Sequence, residues 1–162
     1  MSSSTSIDLP LTARTAEGNR GDPVIQFSVF VENRFGRLSD LIRALNDHHV
    51  HVMAITILDN TDSALIRMVV DDPDQARALY RRNGFAFTEC EVLAVEIDTE
   101  ARLKDVLHAM LIAEVNIHYI YSFISRPREK CALVISVEDV ETASQSLVTH
   151  QFRVLRQNDI SR

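Results

Sequence analysis

The second half of the chain repeats the first, and this repeat restricts the fold more than any other feature. Leu38, Leu41, Ile42 and Leu45 fall at i, i+3, i+4 and i+7, one face of a 3.6-residue helix, and recur 65 residues later as Leu103, Val106, Leu107 and Met110. Arg37-Leu38-x-Asp40 returns as Arg102-Leu103-x-Asp105, and Val50-x-Val52 as Val115-x-Ile117, at the same offset. Asp72, Ala76 and Phe85 match Asp139, Ala143 and Phe152 at an offset of 67, so the hairpin 125–130 carries two extra residues. Chance does not hold register across two helices, so the chain reads as two copies of one supersecondary unit.

Each copy orders its elements βαββαβ. In the first, residues 24–31 alternate as a strand, with Ile25, Phe27, Val29 and Val31 on one face and Gln26, Ser28 and Phe30 on the other. A helix follows from Leu38 to about His49, then strands at 51–59 and 63–71 separated by an Asn60-Thr61-Asp62 turn. Asp72 and Pro73 are start signals for a second helix, Gly84 is a stop signal, and 85–91 reads as a fourth strand. Strand parity matches Phe27, Val29 and Val31 to Leu93, Val95 and Ile97, which starts the second repeat at 92. The expected organisation is a flexible tail at 1–23, repeat one at 24–91 and repeat two at 92–162. The expected fold class is α+β: two ferredoxin-like repeats, each an antiparallel sheet with helices on one face, packed as a pseudo-twofold pair by sheet extension or by face stacking.

Composition narrows the function. A formal charge of −6 argues against nucleic-acid binding, which needs a basic face, and no apolar run approaches the ~20 residues of a membrane span. Residues 1–23 have no basic region followed by an apolar core, so no secretion signal is read and a cytoplasmic location is expected. Cys90 and Cys131 form neither a disulfide framework nor a zinc quartet.

The turn between the first strand and helix, Glu32-Asn33-Arg34-Phe35-Gly36-Arg37-Leu38, is where a small anion fits. The first N–H groups of a helix have no internal partner and point outward with the positive end of the dipole. Followed by Leu41-Ile42-x-x-Leu45 and Val50-x-Val52-x-x-Ile55, it resembles the ACT domain, a small-molecule sensing module of amino-acid metabolism. Phe35 replaces the proline usual in that motif. The tandem arrangement is similar to stand-alone double-ACT proteins over 24 to about 160. The second turn, Thr99-Glu100-Ala101-Arg102, is one residue shorter and has no glycine.

The resemblance implies a free amino acid or similar small ligand held where two ACT units meet. Carried over, Asn33, Arg34, Phe35, Gly36, Arg37 and Leu38 form the ligand-binding elbow, and Ile117 and Tyr119 of repeat two are the expected wall. Backbone N–H groups near Arg37 and Leu38 would take a carboxylate, Asn33 would accept from an ammonium, and Arg34 or Arg37 would add a charge-assisted bond. Ile117 and Tyr119 also fit plain sheet packing.

Other groupings have simpler explanations. His48, His49 and His51 suggest a metal cluster, yet they sit at a helix C-terminus that favours cations. Asp71, Asp72 and Asp74 suggest paired carboxylates or Mg²⁺, yet helix capping accounts for them. Tyr119, Tyr121 and Phe123 alternate like base-stacking aromatics, without the basic motif that role needs. Arg67 lies either on the sheet face away from the helices or against an acid across an interface. With no nucleophile–base pair, phosphate loop or metal quartet, no cofactor and no enzyme activity are expected. A regulatory ligand-binding module acting on a separate enzyme is the leading expectation, and a structural module whose ligand binding has decayed is the alternative. Self-association into a homo-oligomer is expected from the exposed sheet edges.

Overall fold

The computed structural model describes residues 21–32 and 34–161. Asn33 and the first 20 residues of the expected tail lie outside the described residues. Strand β1 (Val24–Glu32) leads to helix α1 (Arg37–Asp47), strands β2 (Val52–Asp59) and β3 (Ser63–Val70), helix α2 (Pro73–Arg82) and strand β4 (Ala86–Ile97). Then come α3 (Leu103–Ile112), β5 (Ile117–Ser122), β6 (Cys131–Val137), α4 (Val140–Thr149), β7 (Val154–Leu155) and a short closing helix, α5 (Gln157–Ile160).

The strand order is β2-β3-β1-β4-β6-β5, antiparallel throughout, with β7 beside β4. The sequence predicts two strands meeting at Glu91. The structure instead has one 12-residue strand, β4, whose Ala86–Val92 stretch pairs with β1 and whose Leu93–Ile97 stretch pairs with β6. No turn residue separates the two stretches, so the backbone runs on and one strand serves both sheets. The sheets also stack. Ala54 of β2 bridges Phe123, and the Ile124 N–H donates to the Met53 carbonyl at 2.7 Å.

Three apolar clusters follow from strand alternation. Phe27, Val29, Val31, Ile66 and Met68 meet Leu41, Leu45, Leu79 and Tyr80 beneath α1 and α2. Leu93, Val95, Ile135, Val106, Met110 and Leu147 do the same beneath α3 and α4. Between the sheets, Val24, Ala54, Val69, Val92, Val134 and Leu155 form a third cluster, drawn from both repeats. A module of about 70 residues buries a marginal core alone, and the third cluster adds what each lacks.

The repeat extends to backbone detail. Register shifts occur at Val52/Ala54 and at the matching Ile117/Tyr119. His49 and Glu114 are both left-handed at the ends of α1 and α3, as are Gly84 and Gln151 after α2 and α4. In each case a following N–H turns back to a carbonyl of the helix, for example Val50 to Leu45 at 2.9 Å and Phe152 to Leu147 at 2.9 Å.

Helix α5 has no counterpart in repeat one and does not appear in the periodicity, being only four residues long. It ties the repeats together. The Gln157 side-chain amide donates to the Val70 carbonyl at 3.1 Å, and the Ser161 hydroxyl to that of Asp71 at 2.7 Å. The Gln157 N–H also donates to the Asp22 carbonyl at 3.0 Å.

Candidate functional site

At the first elbow the Arg34 N–H donates to the Glu32 carbonyl at 2.7 Å, which turns the chain sharply at the end of β1. Gly36 then sits at φ 85°, a left-handed conformation that glycine adopts without the Cβ penalty of other residues. Among the described residues no side chain caps α1 or α3, the helix after each elbow. By contrast α2 and α4 are capped by Asp72 and Asp139, which accept from the N–H groups of Gln75 and Thr142 at 3.0 Å. The Thr142 bonds hold the Asp139 carboxyl below its ordinary range. Each repeat therefore caps its second helix with an aspartate; at α1 the Arg37 N–H turns back to the Arg34 carbonyl at 3.2 Å, and at α3 the Arg102 N–H turns back to the Thr99 carbonyl at 3.1 Å.

The elbow borders a groove of about 450 Å³ between the end of β1 and the start of β4, lined by Phe30, Glu32, Arg34, Arg37, Gly84, Phe85 and Ala86 among others. The Arg37 guanidinium lies 4.8 Å from the centre of the Phe85 ring, and Arg34 pairs with Glu32 at 2.7 Å. Phe35 projects fully into solvent, and Leu38 packs against the core of repeat one. Repeat two has the matching groove, about 220 Å³, in which Arg102 stacks on Phe152 at 4.5 Å. There Glu96 stands for Phe30, Arg153 for Ala86, and Lys130 reaches Asp98 at 3.0 Å, so that groove is charged where the first is aromatic. The second elbow enters α3 through one tight helical turn, Glu100–Arg102.

The structure does not bring Ile117 and Tyr119 to the elbow. Ile117 packs in the core of repeat two, on the helix side. Tyr119 meets Gln26, six positions before Glu32 on β1 and roughly 20 Å away at the rise of a strand. The physical reason is the stacking: β5 crosses the middle of the first sheet, not its elbow end. The residues that do border the elbow groove, Phe30, Phe85 and Ala86, are not among those singled out from the sequence. The repeated Arg37/Phe85 and Arg102/Phe152 pairs were the signal that could have found them.

The seam between the repeats carries a second polar grouping. Gln26, fully buried, donates through Nε2 to the Tyr119 hydroxyl at 2.7 Å and accepts from the Tyr121 hydroxyl at 2.7 Å through Oε1. Its Nε2 is also 3.5 Å from Cys90 Sγ and from Ser28 Oγ. Burial drives the Tyr121 phenol above its ordinary value, and partial desolvation at the seam raises the Cys90 thiol against the pull of the Tyr119 hydroxyl and of Arg67. Register sorts this face of sheet one into cross-strand rows. Cys90, Gln26, Val69 and Ala54 form the row under β5; Thr88, Ser28, Arg67 and Thr56 form the next; Ala86, Phe30, Leu65 and Leu58 form the outermost. Arg67 thus lies on the face away from the helices, its guanidinium 3.8 Å from the centre of the Tyr119 ring.

The histidines and aspartates have structural partners. Asp71, buried at the end of β3, accepts from the His51 N–H and meets its Nδ1, both at 2.7 Å. His48 Nδ1 bonds the Ala44 carbonyl at 2.9 Å. Among the described residues no three His, Cys, Asp or Glu side chains are grouped to hold a metal ion, and no helix is long and apolar enough to cross a membrane.

Fold and elbows define a class, two ferredoxin-like α+β domains fused through a shared strand. The model of the ACT domain pair matches residues 23–162, and the chain belongs to that family. Among solved structures it is similar to protein BT0572 from Bacteroides thetaiotaomicron, at 26% identity and a TM-score of 0.79, over 88% of this chain and 98% of that one. It is also similar in fold to the regulatory subunit of aspartate kinase from Thermus thermophilus, at 12% identity and a TM-score of 0.58 over 80% and 91% of the two chains. The corresponding subunit from Thermus flavus gives 15%, 0.53, 81% and 94%. No curated protein matches the chain.

Proposed function

We propose that the chain is a non-catalytic regulatory module that binds a free amino acid or similar small ligand at its first elbow and acts on a separate enzyme. The observation that carries this reading is the contrast in capping: α1 opens at a left-handed glycine with no side-chain cap among the described residues, whereas α2 is closed by Asp72. The N–H groups of Leu38 and Ser39 would take the ligand carboxylate, since that of Arg37 already donates to the Arg34 carbonyl, with the Arg37 side chain held beside them by Phe85. Asn33 would accept from the ammonium. Phe30 and Phe85, not Ile117 and Tyr119, would wall the ligand side chain, which favours an apolar one. Occupancy would reach repeat two through β4, because Ala86 borders the groove and lies on the strand that both sheets share.

The test is a thermal-shift screen of the free amino acids. At 100 times Kd a ligand adds about 2.7 kcal/mol, which raises the melting temperature of a chain this size by roughly 5–10 °C. Gly36→Val should remove the ligand-induced shift, read against the variant's own melt, while Ala101→Val leaves it. Absence of any shift at millimolar concentrations would overturn the sensor reading and favour a purely structural module.

A further inference from the structure

The second repeat covers only part of the sheet-one face away from the helices, and the uncovered strip carries a cation, Arg67, with no counter-charge among the described residues. Among the described residues Arg67 makes no ion pair or side-chain hydrogen bond; its close contact is the Tyr119 ring. Stacking uses the flat face of a guanidinium and leaves its in-plane N–H donors free. Directly across the strands on either side stand the hydroxyls of Ser28 and Thr56. The carboxylate of β1 on this face, Glu32, is four residues beyond Ser28, roughly 13 Å along the strand, and is already paired with Arg34. In the next row Phe30 and Leu58 are 48% and 44% exposed.

A role in sheet packing does not account for these residues. The positions that match Ser28, Phe30 and Arg67 in repeat two are Ala94, Glu96 and Val134. Stacking the strip on a second copy of itself about a twofold axis would draw two Arg67 side chains together and bury them unpaired, which is costly. A small anion with an apolar body meets both halves of the strip.

We propose that this strip is a second binding site, for a small carboxylate with an apolar tail: the carboxylate on Arg67 between the hydroxyls of Ser28 and Thr56, the tail across Phe30 and Leu58. It does not rest on the elbow reading: Phe30 borders both the strip and the elbow groove, but no residue of α1 or its N-terminus takes part here and Arg67 takes no part there. Arg67 supplies a bidentate fork that recognises a planar carboxylate, and Tyr119 fixes the plane of that fork. The ligand would bridge the repeats, because Arg67 belongs to one and Tyr119 to the other.

The chain has three tyrosines and no tryptophan, and two of the three, Tyr119 and Tyr121, stand at this seam, so intrinsic tyrosine fluorescence reports on it. Octanoate titrated into the full chain should give a saturable change. Affinity should fall about two- to fourfold for each methylene removed toward butyrate, and octylamine should not bind. Arg67→Gln should weaken octanoate at least tenfold; Phe30→Ser should keep binding but flatten the chain-length dependence; Gly36→Asn should change neither. No saturable octanoate signal, equal binding of octylamine, or unchanged affinity in Arg67→Gln overturns the proposal. If Arg67→Gln fails to fold, Phe30→Ser and Thr56→Val decide, and wild-type affinity and chain-length dependence in both overturn it. A change of sedimentation in these variants without a change in octanoate affinity assigns the strip to a contact between copies and likewise overturns the proposal.

Discussion

Replacing Gln26 by leucine tests how the two repeats are joined. The side chain is fully buried and holds the Tyr119 and Tyr121 hydroxyls at 2.7 Å each. Leucine fills a similar volume but neither donates nor accepts, so the Tyr121 hydroxyl loses its acceptor and the Tyr119 oxygen its donor. A polar group left unpaired in a protein interior costs about 1–3 kcal/mol. Both tyrosines are half-buried, so water recovers part of that cost, and the loss should total about 2–3 kcal/mol. For a chain of this length that is a fall in melting temperature of roughly 5–10 °C. Urea unfolding followed by circular dichroism and by tyrosine fluorescence measures it, provided the two transitions coincide. The triple variant Gln26→Leu, Tyr119→Phe, Tyr121→Phe removes both hydroxyls with their partner, leaves only the water-accessible Ser28 and Cys90 without their 3.5 Å contacts to Gln26, and should recover to within about 1 kcal/mol of wild type. Arg67 can still stack on a phenylalanine ring at 119, so recovery isolates the hydrogen bonds. A single variant as stable as wild type, or a triple variant less stable than the single one, refutes the claim that this network joins the sheets.

Four further outcomes follow from other parts of the fold. Phe27 is fully buried, with its ring 5.2 Å from Tyr80 and 5.9 Å from Phe87, and Phe27→Ala should cost about 3–5 kcal/mol in urea unfolding. Gln151 is left-handed where its repeat-mate Gly84 has no Cβ, so Gln151→Gly should raise stability by up to about 1 kcal/mol; a loss would show that its side chain holds something in place. Asp72→Ala removes the cap on Gln75 and should cost about 1 kcal/mol, read as a lower urea midpoint with unchanged slope. Arg77 grips Glu89 through two bonds of 2.6 and 2.8 Å and holds its carboxyl below the ordinary value of 4.5. A depressed carboxyl stabilises the fold above its unfolded pKa, and that contribution disappears as pH falls through the folded pKa. The stability gap between wild type and Glu89→Gln should therefore be flat above about pH 5 and close in more acidic buffer.

What could be read from the residues alone was whatever depends on local periodicity. The helix faces Leu41/Leu45 and Val106/Met110, the strand parity of Phe27, Val29 and Val31, and the stop at Gly84 all appear where spacing places them. Each of these is decided by neighbours within one turn or one strand pair. The joint between repeats is decided by contacts 93 and 95 residues apart, Gln26 with Tyr119 and Tyr121, and nothing in either segment names the other. Simple alternation puts Ile117 and Tyr119 on one face, but the register shift between them sends Ile117 to the helix side and Tyr119 to the seam. Only the offset of the stacked sheets then gives the distance of Tyr119 from the elbow. Gln26 did leave a trace: it is a polar residue in a strand whose outer face carries no charge from Gln26 through Ser28 to Phe30, before Glu32 ends it. An uncharged face on a strand already buried on its other side calls for a second sheet, and the half-covered strip around Arg67 is where that cover ends.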